Sequence, residues 1–206
     1  MKFQISFDFT DLEKALEVAQ KVAPFVDILE VGTILIYKSG VTAVERFKDK
    51  FPDKIIFADA KIVDRPREAV EIFSQAGADY ISVLAGTNND IIRTAAQTAH
   101  SNKSKVALDL VDAYSPGQSV MDAKTLGVDL ILCHKPIAPN RLNDSLADWQ
   151  YVRGNTSLPL FIAGGINKTN ISKVLELKPQ GIALGSVITD ADDPAKEAEY
   201  FRALIK

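Results

Sequence analysis

The chain has 206 residues, 47% hydrophobic and 25% charged, with a formal net charge of −3 and a pI near 5.5. This length supports one sizeable core, and the mild acidity argues against an electrostatic footprint for nucleic acid or an anionic membrane. No apolar run approaches the roughly 20 residues that a spanning helix needs. The opening "MKFQISFDFTDLEKA" reads as a strand without a signal-peptide layout. The single cysteine, Cys133 in the apolar run "LILC", excludes an intramolecular disulfide. These features predict a cytoplasmic protein in which Cys133 is a reduced core residue.

In chain order, "FQISF", "VDILEVG", "KIIFADA", "DYISVLA", "KVALDLV", "DLILCH", "LPLFIAGG" and "GIALGS" are short apolar runs. Their starts lie roughly 21 to 30 residues apart, the size of one βα unit. Helical periodicity fills the intervals. "DLEKALEVAQKVA" sets Leu12, Ala15, Leu16 and Ala19 on one face. "VTAVERFKDKF" and "PREAVEIFSQAGA" read alike. In "SQAGADYISV" and "KTLGVDLILC", Gly77 and Gly127 stand where a helix C-terminus favours a left-handed residue. Eight near-continuous apolar strands alternating with helices predict a parallel sheet covered by helices. Closure into a single (β/α)8 TIM barrel over residues 1–206 accommodates eight units, with short loops. The αβ joint near Leu158 and the segment from Pro136 to Asp148 are the least regular parts.

In such a barrel the chemistry sits at the C-terminal strand ends. Strand one ends near Asp8, and strand two carries Glu30. Strand three ends with Asp59 and Lys61, followed by Asp64 in the loop. Strand five carries Asp109, and strand six ends at His134. Each has an ordinary explanation alone. Asp8 would cap the helix beginning near Asp11, Glu30 would pair with a lysine, and His134 would be a satisfied core histidine. Together at one mouth they predict an active site. Glu30 and Asp59 are hard oxygen donors suited to Mg2+, with waters and substrate oxygens completing an octahedron. Lys61, two residues from Asp59 and so on the same strand face, would neutralise an oxyanion. His134 would move a proton. Gly164 and Gly165 in "AGGI", and Gly185 and Ser186 in "LGS", are expected to precede helix starts and hold a phosphate. The composite is a phosphosugar site with a metal that stabilises an enediolate.

"DAKIVD" fits the D-x-K-x-x-D signature of the orotidine monophosphate decarboxylase superfamily. "EVGTILIYKSGVTAVERFKDKFP" with "ADAKIVD" resembles its metal-dependent branch, which holds 3-keto-L-gulonate 6-phosphate decarboxylase and 3-hexulose-6-phosphate synthase. The resemblance runs from Phe3 to the C-terminus. It implies that Glu30 and Asp59 ligate Mg2+, that Lys61 contacts the enediolate, and that His134 is the active-site histidine. It also implies a homodimer in which Asp64 enters the partner's site. The decarboxylase pattern has Glu on strand five, Arg after the strand-six His, Thr before the Gly-Gly and Arg after the strand-eight Gly. This chain has Asp109, no matching Arg in "HKPIAPN", Ala163 and Ser186. The resemblance therefore points to the synthase, with formaldehyde and ribulose 5-phosphate as substrates. The decarboxylase stays open as the alternative, with Lys135 or Arg141 replacing the missing Arg. A histidine-rich epimerase site is disfavoured, because His100 lies at a helix end away from the mouth. A non-catalytic sugar-phosphate-binding protein is the remaining reading.

Overall fold

The computed structural model describes the backbone of residues 1–134 and 142–205 and, apart from 142–148, their side chains. Strands β1 (Lys2–Phe7), β2 (Ile28–Val31), β3 (Ile55–Ile62), β4 (Tyr80–Leu84), β5 (Lys105–Asp109), β6 (Leu130–His134), β7 (Leu160–Ala163) and β8 (Gly181–Leu184) each pair in parallel with the next. β8 returns to β1 and closes the barrel. The helices are α1 (Leu12–Val22), α2 (Thr33–Ser39), α3 (Thr42–Lys50), α4 (Pro66–Gln75), α5 (Asn89–Ser101), α6 (Pro116–Ala123), α7 (Leu142–Asn155), α8 (Ile171–Glu176), α9 (Ser186–Thr189) and α10 (Pro194–Leu204). No helix among the described residues is long and apolar enough to cross a membrane.

The helix read in "DLEKALEVAQKVA" forms as α1. Asp11 is extended, and its carboxylate accepts the Lys14 N–H at 3.1 Å, so Asp11 rather than Asp8 starts it. Its buried face is Ala15, Leu16, Val18, Ala19 and Val22. Gly77 and Gly127 have φ of 91° and 88°, the left-handed exits read from the sequence. α2, over "TILIYKS", has no counterpart among the predicted helices. It buries only Leu35, so no periodic apolar face marks it.

Strand alternation splits the core in two. Phe3, Ile5 and Phe7 on β1, Ile56 and Ala58 on β3, and Val106 and Leu108 on β5 join the large layer beneath the helices. Cys133 packs against that layer. The other parity fills the barrel: Ile28, Phe57, Ala107, Leu130, Leu132, Phe161, Ala163 and Ala183 form a separate apolar plug. A filled interior forces any ligand to the end of the barrel.

The N-terminal rim is tied by a repeated clamp. Asp27, just before β2, accepts the Phe3 N–H of β1 at 2.9 Å, while its own N–H donates to the Phe3 carbonyl. Asp79 does the same with Ile56 of β3, and Asp129 with Val106 of β5. Gln180 repeats it with Leu160 of β7 through its amide oxygen. Each clamp also meets a basic side chain: Arg202 at Asp27, Lys48 at Asp79, His100 at Asp129 and Arg153 at Gln180.

Candidate active site

β3 does not end as a regular strand. Its register against β4 runs Phe57 to Tyr80 and Ala58 to Ile81, then jumps to Ile62 opposite Val83. Four residue steps on β3 thus face two on β4, a bulge spanning Asp59, Ala60 and Lys61. Lys61 has φ of 46°, in the left-handed region, a conformation that costs a non-glycine residue about 1–3 kcal/mol. Period-two alternation therefore does not place Lys61, contrary to the expectation from spacing; the bulge does.

The Lys61 ammonium lies 2.9 and 2.8 Å from the two carboxylate oxygens of Asp59 and 2.9 Å from Asp109 Oδ2. Burial works against its charge, but Asp59 and then Asp109 outweigh it and raise its pKa well above the ordinary lysine value. Asp109 has no solvent exposure. Burial alone would raise its pKa, yet the hydrogen bond with His134 and the charge of Lys61 bring it below the ordinary value. His134 Nδ1 is 3.2 Å from Asp109 Oδ2. That contact, opposed by burial, raises the imidazole's pKa. An ionised carboxylate only accepts, so Nδ1 carries the proton facing Asp109.

Glu30 lies in the opposite situation. It is 5% exposed on β2, and no lysine among the described residues pairs with it. Gln4 Nε2 donates to its Oε2, and Ser6 Oγ lies 2.7 Å from its Oε1. Burial and then the charge of Asp59 push its pKa up to about 7, against the pull of those two hydrogen bonds. Asp8 stands at the rim, its Oδ1 accepting the Ile34 N–H at 3.2 Å. It therefore meets the start of α2, whereas Asp11 caps α1. The residues able to hold a hard divalent cation are Glu30 and Asp59, with Asp8 nearby. Among the described residues no group of three or more His, Cys, Asp or Glu converges as a metal cage. A pair of hard oxygen donors is the kind of set that a divalent ion keeping several waters would use.

A cavity of about 370 Å³ opens over these groups. Asp8, Glu30, Asp59 and His134 line one part, and Gly164, Gly165, Gly185 and Ser186 another, with Leu132, Ala163 and Ala183 among its apolar lining residues. Lys61 and Asp109 are joined to this wall through Asp59 and His134. The expected helix start after "AGGI" is not found: Gly164 and Gly165, with φ of 91° and 63°, form a turn, and α8 begins only at Ile171. The turn suits a phosphate through its backbone N–H groups rather than a helix terminus. Ser186 opens α9 directly, but that helix has four residues.

Asp64 is exposed and does not line the cavity; its carboxylate accepts the Arg65 N–H at 2.8 Å. His100 pairs with Asp129 on the N-terminal rim, at the opposite end from the mouth. Lys135 and Arg141 lie outside the described residues.

Sequence reasoning missed four supporting residues. Thr33 Oγ1 donates to Asp59 Oδ2 at 2.7 Å, and Ser82 Oγ donates to Asp59 Oδ1 at 2.8 Å. Gln4 and Ser6 hold Glu30. The available signal was a polar residue inside an apolar strand: Gln4 and Ser6 in "FQISF", Ser82 in "YISVL". Thr33, the first residue of α2 after Gly32, carried none.

A filled parallel barrel with paired carboxylates, a lysine and a histidine at its C-terminal mouth is the architecture of a barrel enzyme. The model of the orotidine 5′-phosphate decarboxylase / HUMPS family matches residues 1–201. The chain is 32% identical over 210 residues to the 3-hexulose-6-phosphate synthase of Mycobacterium gastri, covering all of both sequences. It superposes on the crystal structure of 3-hexulose-6-phosphate synthase from Salmonella typhimurium with a TM-score of 0.91 and 30% identity, over 100% of this chain and 98% of that one. The 3-keto-L-gulonate-6-phosphate decarboxylase of Vibrio cholerae shares the fold at a TM-score of 0.85 and 24% identity, over 98% and 96% of the two chains. The chain belongs to the orotidine 5′-phosphate decarboxylase / HUMPS family, and it is a carbon–carbon lyase.

Proposed function

We infer that the chain is a Mg2+-dependent 3-hexulose-6-phosphate synthase, joining formaldehyde to ribulose 5-phosphate through an enediolate. The observation that carries this reading is the cavity wall beside His134. Ala163 is the register partner of His134 on β7 and lines the cavity with Ser186. These are the positions where the decarboxylase pattern has a hydroxyl and a guanidinium. Among the described residues, Ala163 brings no proton donor to this wall and Ser186 only a hydroxyl, which favours C–C bond formation over protonation of the enediolate carbon. Identity of 30% or more to synthases supports the same choice.

Glu30 and Asp59 would hold the ion, which supplies positive charge beside the enediolate oxygens. The buried repulsion between these two carboxylates is what a divalent ion would relieve. Lys61, kept charged by Asp59 and Asp109, stabilises negative charge developing on the substrate. Asp109 fixes the His134 tautomer, which leaves Nε2 to carry the proton between substrate and solvent. The Gly164–Gly165 turn and the Gly185–Ser186 corner bind the phosphate and so orient C1 toward the mouth. The exposed position of Asp64, outside its own cavity, is consistent with a homodimer in which it completes the partner's site.

The test measures kcat/KM for condensation and for decarboxylation of 3-keto-L-gulonate 6-phosphate on one preparation, with Mg2+ and with excess chelator. Condensation is expected to dominate and to vanish on chelation. A tenfold preference for decarboxylation, about 1.4 kcal/mol in transition-state terms, sinks the synthase reading; full activity in chelator sinks the metal. For the shared site, Asp64→Ala and Glu30→Ala chains, each inactive alone, should recover activity when mixed. No recovery after verified subunit exchange overturns it.

A further inference from the structure

We propose that Ser82 is a positioning residue: its hydroxyl holds the β3 bulge in the one form that aims Lys61 at Asp59 and Asp109. The inference rests on the reading of Lys61 and Asp59 as reacting-site groups.

The bulge removes Lys61 from the regular β3–β4 ladder, since the register passes from Ala58–Ile81 directly to Ile62–Val83. Ser82 is the β4 residue opposite the gap. Its Oγ accepts the Lys61 N–H at 2.8 Å, taking the place of a ladder carbonyl. The same oxygen donates to Asp59 Oδ1 at 2.8 Å. One hydroxyl therefore ties both ends of the three-residue bulge, satisfying a backbone donor and a carboxylate with its single proton and a lone pair. Ser82 has no solvent exposure, so water cannot readily replace it. Without the hydroxyl, the Lys61 N–H and Asp59 Oδ1 each lose a buried partner. The left-handed Lys61 then loses the contact that compensates its conformation, and the bulge relaxes with the ammonium leaving the site.

The test compares Ser82→Thr with Ser82→Val, which share a shape and differ in the hydroxyl, alongside Ser82→Ala and wild type. Ser82→Thr is expected to keep kcat within about threefold of wild type. Ser82→Val and Ser82→Ala should lose about tenfold or more in kcat, with KM for the phosphosugar within about threefold, since the glycine turns are untouched. A merely structural residue would lower Tm and leave kcat of the folded enzyme unchanged. Equal kcat in the Thr and Val variants, or wild-type kcat in the Ala variant, overturns the proposal. Should Ser82→Val fail to fold, Ser82→Cys keeps the size and weakens both hydrogen bonds. Its kcat is expected to fall by about threefold or more, and an unaltered kcat overturns the proposal. An inert wild type would instead overturn the proposed reaction. Crystal structures then judge Ser82: Lys61 Nζ should leave Asp59 in the valine or cysteine variant and stay in the threonine variant. An unmoved lysine in all of them refutes the role.

Discussion

The two rims of the barrel use carboxylates in opposite ways. On the N-terminal rim Asp27, Asp79 and Asp129 each accept a backbone N–H of the preceding strand and face a basic side chain. At the C-terminal mouth Glu30 and Asp59 lie close enough for the charge of Asp59 to raise the Glu30 pKa. Asp27 shows the first case: burial would raise its pKa, but the Phe3 N–H and Arg202 bring it below the ordinary value. A carboxylate paired with a cation stabilises the fold, while Glu30, held by neutral donors and facing Asp59, opposes it and is left able to bind a cation. The rim carboxylates are half-buried beside a basic side chain, whereas Glu30 is buried beside another carboxylate, so both burial and the neighbouring charge push its pKa up.

The largest effect is expected from Lys61→Met, which takes away the cation shared by Asp59 and Asp109. Turnover should fall by about 10²–10³-fold or more. Leaving the fully buried Asp109 without its ammonium should also lower stability by about 3–5 kcal/mol. Kinetics and a denaturant titration check both; normal turnover would show that the mouth works without its ammonium.

Glu30→Gln should abolish detectable Mg2+ affinity and activity yet stabilise the metal-free protein at pH 8. The Glu30 pKa is raised in the fold, so the native state holds the proton more tightly than the unfolded chain. Metal-free stability should then fall as pH rises from about 4.5 through about 7, by on the order of 3 kcal/mol. Melting temperatures of both proteins across that window, in chelator, should diverge. Parallel curves would place Glu30 with the satisfied carboxylates of the other rim.

Asp109→Asn sharpens the contrast within the mouth. The His134 pKa is raised by Asp109, so the variant should titrate His134 at a lower pH, followed by NMR of the imidazole. Sign matters here. The stability of the pair is fully present below the unfolded histidine pKa and is lost as pH rises through the raised value. An unshifted imidazole would remove Asp109 as its partner.

Asp27→Ala should lower stability at neutral pH by about 1–3 kcal/mol, the cost of an unpaired Phe3 N–H and a lost ion pair, with kcat within about twofold of wild type. Asp27 has a lowered pKa, so its contribution is present above the unfolded value and lost as pH falls through the folded one. The difference from wild type should therefore shrink in acid. A loss of kcat at constant stability would erase the division between the rims. The smallest effect is expected from His100→Asn. Its partly exposed contact with Asp129 is worth about 0–1 kcal/mol, and turnover should not change.

Much of the architecture is local and therefore legible in the one-dimensional pattern. Apolar runs at βα spacing, the apolar face of α1 and the glycine exits at Gly77 and Gly127 depend on a residue and its near neighbours. The mouth residues on β2, β5 and β6 were legible for the same reason, because a strand's C-terminal end can be read once its run is recognised. The helix α2 was not, having one buried residue and no period. Nor was the form of the glycine turn after β7, since Gly-Gly reads equally as a turn or a helix start.

What the chain alone determined is the inventory: eight strands, a barrel, and Glu30, Asp59, Lys61, Asp109 and His134 at one end of it. Only the tertiary structure decided how they meet. Lys61 points inward because a bulge against β4 turns it left-handed, and a bulge is a mismatch between two strands that neither strand encodes alone. Asp109 and Glu30, both buried carboxylates, shift in opposite directions because one touches Lys61 and His134 and the other faces Asp59. Those contacts span from 25 to 48 residues in sequence and exist only once the barrel has closed.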